Sequence, residues 1–95
     1  MSRSSHQTPW TPLIGQTVVV DTDSTYVYLG TLAEIREHTL LLREADAHDK
    51  NETPSTKEQY VMDAKRFGIR PSRREVEVRL EKIVSVSRLD DVIIY

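Results

Sequence analysis

A glycine in the middle of a long β-type segment is the feature that most restricts the fold of this chain. Residues 25–35 (TYVYLGTLAEI) are rich in the β-branched and aromatic residues that strands favour, and Gly30 lies at their centre. A mid-strand glycine marks a bulge, a sharp bend or the close approach of another backbone. The segment therefore predicts a long strand in a strongly curved sheet.

Four further segments have strand character. Residues 75–80 (EVEVRL) alternate between charged and apolar side chains, which predicts a half-buried strand. Residues 39–43 (TLLLR) carry an unbroken apolar run, which predicts burial on both faces of the sheet. The predicted strands are, in chain order, residues 16–22, 25–35, 39–43, 75–80 and 83–87.

One segment has a helical period. Ser55 and Glu58 have the spacing of a capping box, which predicts a helix with Ser55 as its N-cap. The apolar side chains that follow at helical spacing are Tyr60, Val61, Ala64 and Phe67. They predict a stripe that packs on the surface of the sheet, and Gly68 predicts the end of the helix.

The order of these elements predicts one small domain. Residues 1–12 are rich in Ser, Thr and Pro and are predicted to be a flexible N-terminal arm, whereas residues 13–95 form a single domain with an inserted helix at 55–68. We expect a polar loop at 44–54 and a short additional edge strand at 92–95. Three strands, a helix and two strands favour a mainly β, partly open small barrel. A flat five-stranded sheet backed by the helix is the alternative.

The composition excludes several classes of protein. The chain of 95 residues has no cysteine, which excludes a disulfide scaffold, a thiolate metal site and a cysteine nucleophile. Its net charge of −2 excludes a nucleic-acid-binding protein with a basic surface all round, but not one with a local basic patch. Because no unbroken apolar run is longer than four residues, we expect no membrane-spanning segment and a cytoplasmic protein.

Two sequence motifs resemble those of the Sm and Sm-like (LSm) family. Gly30 and Leu32 match the Gly-x-apolar step in the long second strand of that family. The segments that carry the resemblance are residues 13–20 (LIGQTVVV), 28–32 (YLGTL), 37–42 (EHTLLL) and 79–83 (RLEKI). The resemblance implies a divergent member with the family's five-stranded, SH3-like small barrel and a helix inserted between strands 3 and 4.

The chain departs from the family pattern at two functional positions. The Met-Asn pair of the family, whose Asn reads the edge of a uracil, falls on Thr39 and Leu40. The Arg-Gly pair of the second motif falls on Arg79 and Leu80, so that the arginine is kept and the glycine is not. The pattern Ile-Gly-x-x-Val-Val-x-Asp, which begins at Ile14, also occurs in other small barrels such as the PRC barrel.

The resemblance further implies a ring, because strand 4 of one family member pairs with strand 5 of the next. Without such pairing, two alternating strands would leave unpaired edges on a domain with a thin core. The predicted interface residues are the apolar side chains of these strands: Val76, Val78, Leu80, Ile83, Val84 and Val86. The alternative is a monomer or a dimer whose edge is capped by residues 92–95.

Two groups of residues are candidates for binding RNA. Residues 65–74 contain five cations and no acid, which indicates either a phosphate-binding patch or the solvated, dipole-favoured end of a helix. The resemblance places His38 and Arg79 together at the pore loops, to stack on a base and to bind a base edge or phosphate. The alternative is a turn histidine and an arginine paired with Glu37 or Glu81. The predicted nucleic-acid-binding residues are Arg36, His38, Arg70, Arg73, Arg74, Arg79 and Lys82.

The sequence contains no pattern typical of a catalytic or metal centre. Asp46, His48 and Asp49 have ligand chemistry, but their spacing matches no defined metal site. No nucleophile motif or suitable pair of carboxylates is found. We therefore predict a non-enzymatic protein without a cofactor that forms a ring of its own copies and binds single-stranded RNA at the pore loops. The alternative is a structural or interaction barrel that oligomerises without binding nucleic acid.

Overall fold

The computed structural model describes residues 8–94 and shows a mainly β chain with one α-helix. The strands and the helix are, in chain order, β1 (Thr17–Thr22), β2 (Tyr26–Ile35), β3 (Thr39–Asp49), α1 (Lys57–Phe67), β4 (Arg73–Arg79) and β5 (Ile83–Arg88). Single turns of 3₁₀-helix occupy Thr11–Leu13, Leu80–Lys82 and Leu89–Asp91. Within residues 8–94, no helix is long and apolar enough to cross a membrane.

The five strands form one antiparallel sheet in the order β4-β3-β2-β1-β5. Strands β4 and β5 are therefore its edges, and in the described part of the chain they do not pair with each other. The predicted mainly β class, with five strands and one inserted helix, is confirmed. The sheet remains open between its two edge strands.

Strands β2 and β3 lie unusually close together at Gly30. Their register shifts between Leu29 and Thr31. A Cβ atom on Gly30 would lie 3.0 Å from the Cβ of Ala45 and 3.1 Å from the carbonyl oxygen of Arg43. A side chain here would force the neighbouring strand to shift by a few tenths of an ångström, so the predicted close approach of backbones is confirmed.

Apolar side chains cover both faces of the sheet. The first cluster contains Val18, Val20, Leu32, Ile35, Leu40, Leu42, Ala45 and Val78, with Trp10 and Leu13 packed against it. The second contains Val19, Val27, Leu29, Ala64 and Leu89, with Tyr60, Val61, Ile69 and Val92 packed against it. Neighbouring residues of β1 belong to opposite clusters, as the pleat of a strand requires. The run at residues 40–42 is buried throughout, which confirms the predicted burial on both faces.

Strand β3 is longer than the sequence predicts. The prediction of a polar loop at residues 44–54 is wrong for its first half, because β3 continues to Asp49. The long strand β2 offers pairing positions along its whole length, where Tyr26 pairs with Asp49 and Tyr28 pairs with Ala47. Tertiary pairing here overrides the local polarity of the sequence.

The N-cap of α1 is Thr56 rather than the predicted Ser55. The hydroxyl oxygen of Thr56 accepts a hydrogen bond from the backbone N–H of Gln59 at 3.0 Å. At the other end, Gly68 has a φ of 89° and donates its N–H to the carbonyl oxygen of Ala64 at 2.8 Å. The predicted end of the helix at Gly68 is thus confirmed.

Phe67 does not belong to the apolar stripe that the sequence predicts. Its side chain is 81% exposed, whereas Tyr60, Val61 and Ala64 contact the second cluster. Phe67 is the last residue of α1, and the chain turns immediately after it. Ile69, just beyond the turn, makes the apolar contact with the sheet instead.

The prediction of an edge strand at residues 92–95 is wrong for residues 92–94, which have no regular structure. Tyr95 lies outside the described residues. The backbone N–H of Val92 donates to the carbonyl oxygen of Leu89 at 3.1 Å, and both side chains pack on the face that α1 covers. The described end of the chain therefore leaves the edges of the sheet uncovered.

Residues 1–7 of the predicted N-terminal arm lie outside the described residues. The following segment is hydrogen-bonded and packed. The N–H of Leu13 donates to the carbonyl oxygen of Trp10 at 2.8 Å, and both side chains contact the first cluster. This segment therefore closes one side of the apolar core.

Candidate nucleic-acid interface

The turn between β2 and β3 lies beside the link between β4 and β5. Thr39 pairs with Arg79, and the N–H of Leu80 donates to the carbonyl oxygen of His38 at 2.9 Å. The N–H of Arg36 donates to the carbonyl oxygen of Thr39 at 2.8 Å and closes the turn. We call residues 36–38 together with residues 79–82 the turn-end site.

The turn-end site presents its two central side chains to solvent. The side chain of His38 is 85% exposed and that of Arg79 is 71% exposed. Lys82 is also exposed, and its carbonyl oxygen accepts a hydrogen bond from the N–H of Asp23 at 2.9 Å. The structure thus brings His38, Arg79 and Lys82 to one end of the sheet, as the resemblance implies for the first two.

Carboxylates accompany the cations of this site. Arg36 lies 3.2 Å from Glu34 and 3.1 Å from Glu77, and Arg79 lies 3.2 Å from Glu81. The hydrogen bond and charge of Glu34, followed by those of Glu77, raise the pKa of Arg36. Arg36 therefore stays protonated, and the two carboxylates compensate much of its positive charge. Arg79 and Glu81 form an exposed, solvent-screened pair, which a competing phosphate can replace at low cost.

Glu77 is held on the strand β4 next to the turn. The hydroxyl of Thr39 donates to its Oε1 at 2.8 Å. This hydrogen bond, followed by the hydrogen bond and charge of Arg36, lowers the pKa of Glu77. The carboxylate therefore stays ionised and fixes the arginine rather than leaving it available to a ligand.

The second predicted group of cations lies at the opposite end of β4. Arg73 begins β4 and pairs with Ala45, whereas Arg79 ends it. Seven residues of strand span about 20 Å. The structure therefore does not bring Arg70, Arg73 and Arg74 together with the turn-end site, and the predicted residues form two separate surfaces.

Most predicted interface side chains belong to the core of this chain. Val78 is 4% exposed and belongs to the first cluster. Val76, Leu80, Ile83 and Val86 pack against that cluster. Only Val84, the remaining member of the six, is largely exposed. What the edge strands offer to another subunit is chiefly their unpaired backbone groups, and the ring remains a prediction.

Asp46 and His48 connect α1 to β3. The Tyr60 hydroxyl donates to Asp46 at 2.5 Å, and the His48 ring stacks on the Tyr60 ring with centroids 4.4 Å apart. Burial, and then the hydrogen bond and charge of Asp46, raise the pKa of Tyr60. Among residues 8–94 no group of three acidic, histidine or cysteine side chains is placed to hold a metal ion. These residues act in packing.

Phe67 is the candidate functional residue that sequence reasoning missed. Its exposed ring shares with Arg70 a surface cavity of about 350 Å³. The sequence does contain one indication that Phe67 is exposed, because it lies directly before Gly68, at the last residue of the helix. An apolar side chain there lies beyond the turns that pack on the sheet.

Comparison with known proteins supports the fold. No protein-family model matches the chain, and no curated protein matches it. Among solved structures, the Sm protein of Pyrococcus abyssii in complex with a uridine heptamer matches with a TM-score of 0.55. The match covers 86% of this chain and 99% of that chain. The fold is Sm-like.

At 14% sequence identity, this similarity concerns the fold alone. Because nearly the whole length of the Sm protein is matched, the five-stranded sheet of this chain corresponds to a whole Sm-like domain. Helix α1 lies between strands 3 and 4 of this Sm-like sheet.

Proposed function

We propose that this Sm-like protein is a non-enzymatic, ring-forming protein that binds single-stranded RNA at its turn-end site. The observation that carries the proposal is the adjacent, exposed placement of His38 and Arg79. An imidazole ring stacks on an unpaired base, and a guanidinium group binds a phosphate or a base edge. The Sm protein that shares this fold was solved with a uridine heptamer, which supports RNA as the ligand class.

The site favours binding with weak choice among bases. The position at which the family carries its base-reading Asn is Leu40, and its side chain is fully buried in the first cluster. The hydroxyl of the preceding Thr39 is engaged with Glu77. Stacking by His38 and charge attraction by Arg79 and Lys82 remain, and neither contact distinguishes strongly between bases.

The open sheet supports the ring. In the described residues, β4 and β5 each pair on one side only. A strand of a second copy that pairs with the open side would satisfy the free backbone groups. Since the two edges differ, such a contact is head-to-tail and closes into a ring when its rotation permits.

A second candidate function is assembly without RNA. The observation in its favour is the carboxylate content of the turn-end site, where Glu34, Glu77 and Glu81 pair with arginines and Glu37 lies 3.8 Å from His38. The net charge of −2 also opposes long-range attraction of RNA.

Fluorescence anisotropy with a labelled uridine heptamer separates the two functions. We expect salt-sensitive binding that Arg79→Ala weakens about tenfold, with a salt slope smaller by about 0.7. Lys50→Ala is the matched control, because Lys50 is an exposed cation in the loop before α1. Absence of binding at about 50 mM salt would favour assembly without RNA.

A further inference from the structure

An exposed aromatic ring and three arginines form a surface at the end of the inserted helix. We call Phe67, Arg70, Arg73 and Arg74 the insertion-end surface. Phe67 is the most exposed of the large hydrophobic side chains in the described residues. It lines one cavity with Arg70, and Arg73 and Arg74 line a second cavity. Three residues of chain span at most about 11 Å, so Arg70 and Arg73 lie close together.

The three arginines have no ion-pair partner among the residues that the structure describes. Glu44 lines the second cavity with Arg73 and Arg74 but forms no ion pair with them. Within the described chain, the only hydrogen bond from these side chains joins Arg73 to Ser72 at 3.4 Å. The guanidinium groups are therefore available to an external anion.

Two of the carboxylates close to these arginines, Asp46 and Glu75, are engaged elsewhere. Both oxygens of Asp46 accept hydrogen bonds, from the hydroxyls of Tyr60 at 2.5 Å and of Ser72 at 2.6 Å. Glu75, the acid that follows Arg74, pairs with Arg43 at 3.1 Å. These contacts hold the acids in place and leave the arginines unpaired.

The helix dipole does not account for these arginines. Cations in the last turn of a helix are stabilised by the carbonyl end of the helix dipole, and this applies to Lys65 and Arg66. Arg70, Arg73 and Arg74 lie after Gly68, outside the helix. The helix dipole therefore does not stabilise their charges.

We propose that the insertion-end surface is a second contact surface for single-stranded RNA. In this arrangement Phe67 stacks on a base and the arginines bind the adjoining phosphates, as on the stacking platforms of single-strand binders. This inference rests on the proposed RNA binding and adds a contact about 20 Å from the turn-end site. Because every base has a π-face, binding here tolerates any sequence.

RNA fits this surface better than a protein partner does. Charged residues are depleted from the centres of protein interfaces, whereas here Phe67 shares its cavity with Arg70, Asp46 and Asp63. A protein would have to supply several acids around an apolar pocket. A nucleic acid strand supplies phosphates and a flat base at regular spacing.

The test is anisotropy of a labelled mixed-sequence single-stranded RNA at about 50 mM and about 200 mM salt. Phe67→Ala should weaken binding about tenfold, and Phe67→Tyr should restore it, because the tyrosine ring also stacks. Arg73→Glu should weaken binding more than Lys50→Glu, although both change the net charge equally. Removal of all three arginines should reduce the salt slope by about 2.

The outcomes separate this inference from the proposed function. If Arg79→Ala weakens binding while the Phe67 and Arg73 variants bind like the wild type, the insertion-end surface is not a contact and the turn-end site stands. If only the Phe67 and Arg73 variants lose affinity, the inference stands and the turn-end site fails. A change in oligomer mass on Phe67→Ala, measured by light scattering, with RNA affinity unchanged would make the surface a protein contact and overturn the inference.

Discussion

At the scale of single residues, Gly30 determines how closely β2 and β3 approach. Its missing side chain lets the backbone of β3 pass at Ala45 and Arg43. The interior of a protein is close-packed, so an added side chain at such a point displaces backbone rather than filling space.

Gly30→Val should reduce the free energy of unfolding by about 1–3 kcal/mol, because the new side chain overlaps the neighbouring strand. The measurement is the urea midpoint. Thr17→Val is the control, since it adds the same side chain at an exposed position of β1 and should change stability by less than about 0.5 kcal/mol. Equal stability of the two variants would contradict the close approach.

Residue-scale chemistry leads us to expect modest affinity for RNA at the proposed turn-end site. Arg36 is held by two carboxylates, and Arg79 by one. The accessible contact atoms are therefore those of His38, Arg79 and Lys82. An affinity that depends on so few groups is sensitive to salt and to single substitutions.

At the scale of elements, polar contacts in the first four residues of α1 attach it to the rest of the fold. Lys57, in its first turn, donates to the Asp21 carboxylate at 2.8 Å and to the carbonyl oxygen of Ser24 at 2.8 Å. Farther along, Tyr60 binds Asp46. These contacts orient the helix, and Phe67, its last residue, lies exposed at the surface of the molecule.

Thr56→Ala should destabilise the protein by about 1 kcal/mol, because it removes the hydrogen bond that caps α1. Ser55→Ala should have a smaller effect, since the contact of Ser55 with His48 uses its backbone carbonyl. Thermal unfolding of the two variants distinguishes them. A larger loss for Ser55→Ala would place the cap where the sequence pattern predicts it.

At the scale of the whole molecule, the open sheet determines where the proposed subunit contact and the proposed RNA contacts lie. Its edges are where a second copy would pair, and the two ends of β4 carry the two proposed RNA surfaces. If copies join through β4 and β5, each ring would repeat both surfaces once per subunit. Weak contacts would then add up along one RNA strand.

Val84→Lys should break the proposed ring into monomers, because a lysine on an exposed edge strand opposes pairing with another strand. Val84 is 65% exposed, so the substitution leaves the core intact. Light scattering measures the mass, and Asn51→Lys, in the exposed loop after β3, is the control with the same added charge. An unchanged oligomer mass would exclude the β5 edge as the subunit contact.

The local pattern of the sequence was sufficient to locate the five strands and the helix, but not the full length of β3. The signals were the alternation of side chains, the β-branched runs, Gly30 and Gly68. Each acts on its own backbone or on near neighbours in the chain, so it is visible in the sequence itself. The resemblance through Arg79 and residues 37–42 also predicted that the turn and the link lie together.

Other features depend on what lies across the molecule. The extension of β3 to Asp49 exists because β2 offers it partners, and Phe67 is exposed because Ile69 makes the contact with the sheet. Likewise, only the register of β3 and β4 shows that Arg73 and Arg79 lie at opposite ends of a strand. The sequence by itself determined where five strands and one helix lie, because backbone preferences and side-chain periodicity are local. The tertiary structure alone decided how long β3 is, which charged side chains are paired and that Phe67 is exposed, because strand pairing and charge pairing depend on residues far apart in the chain.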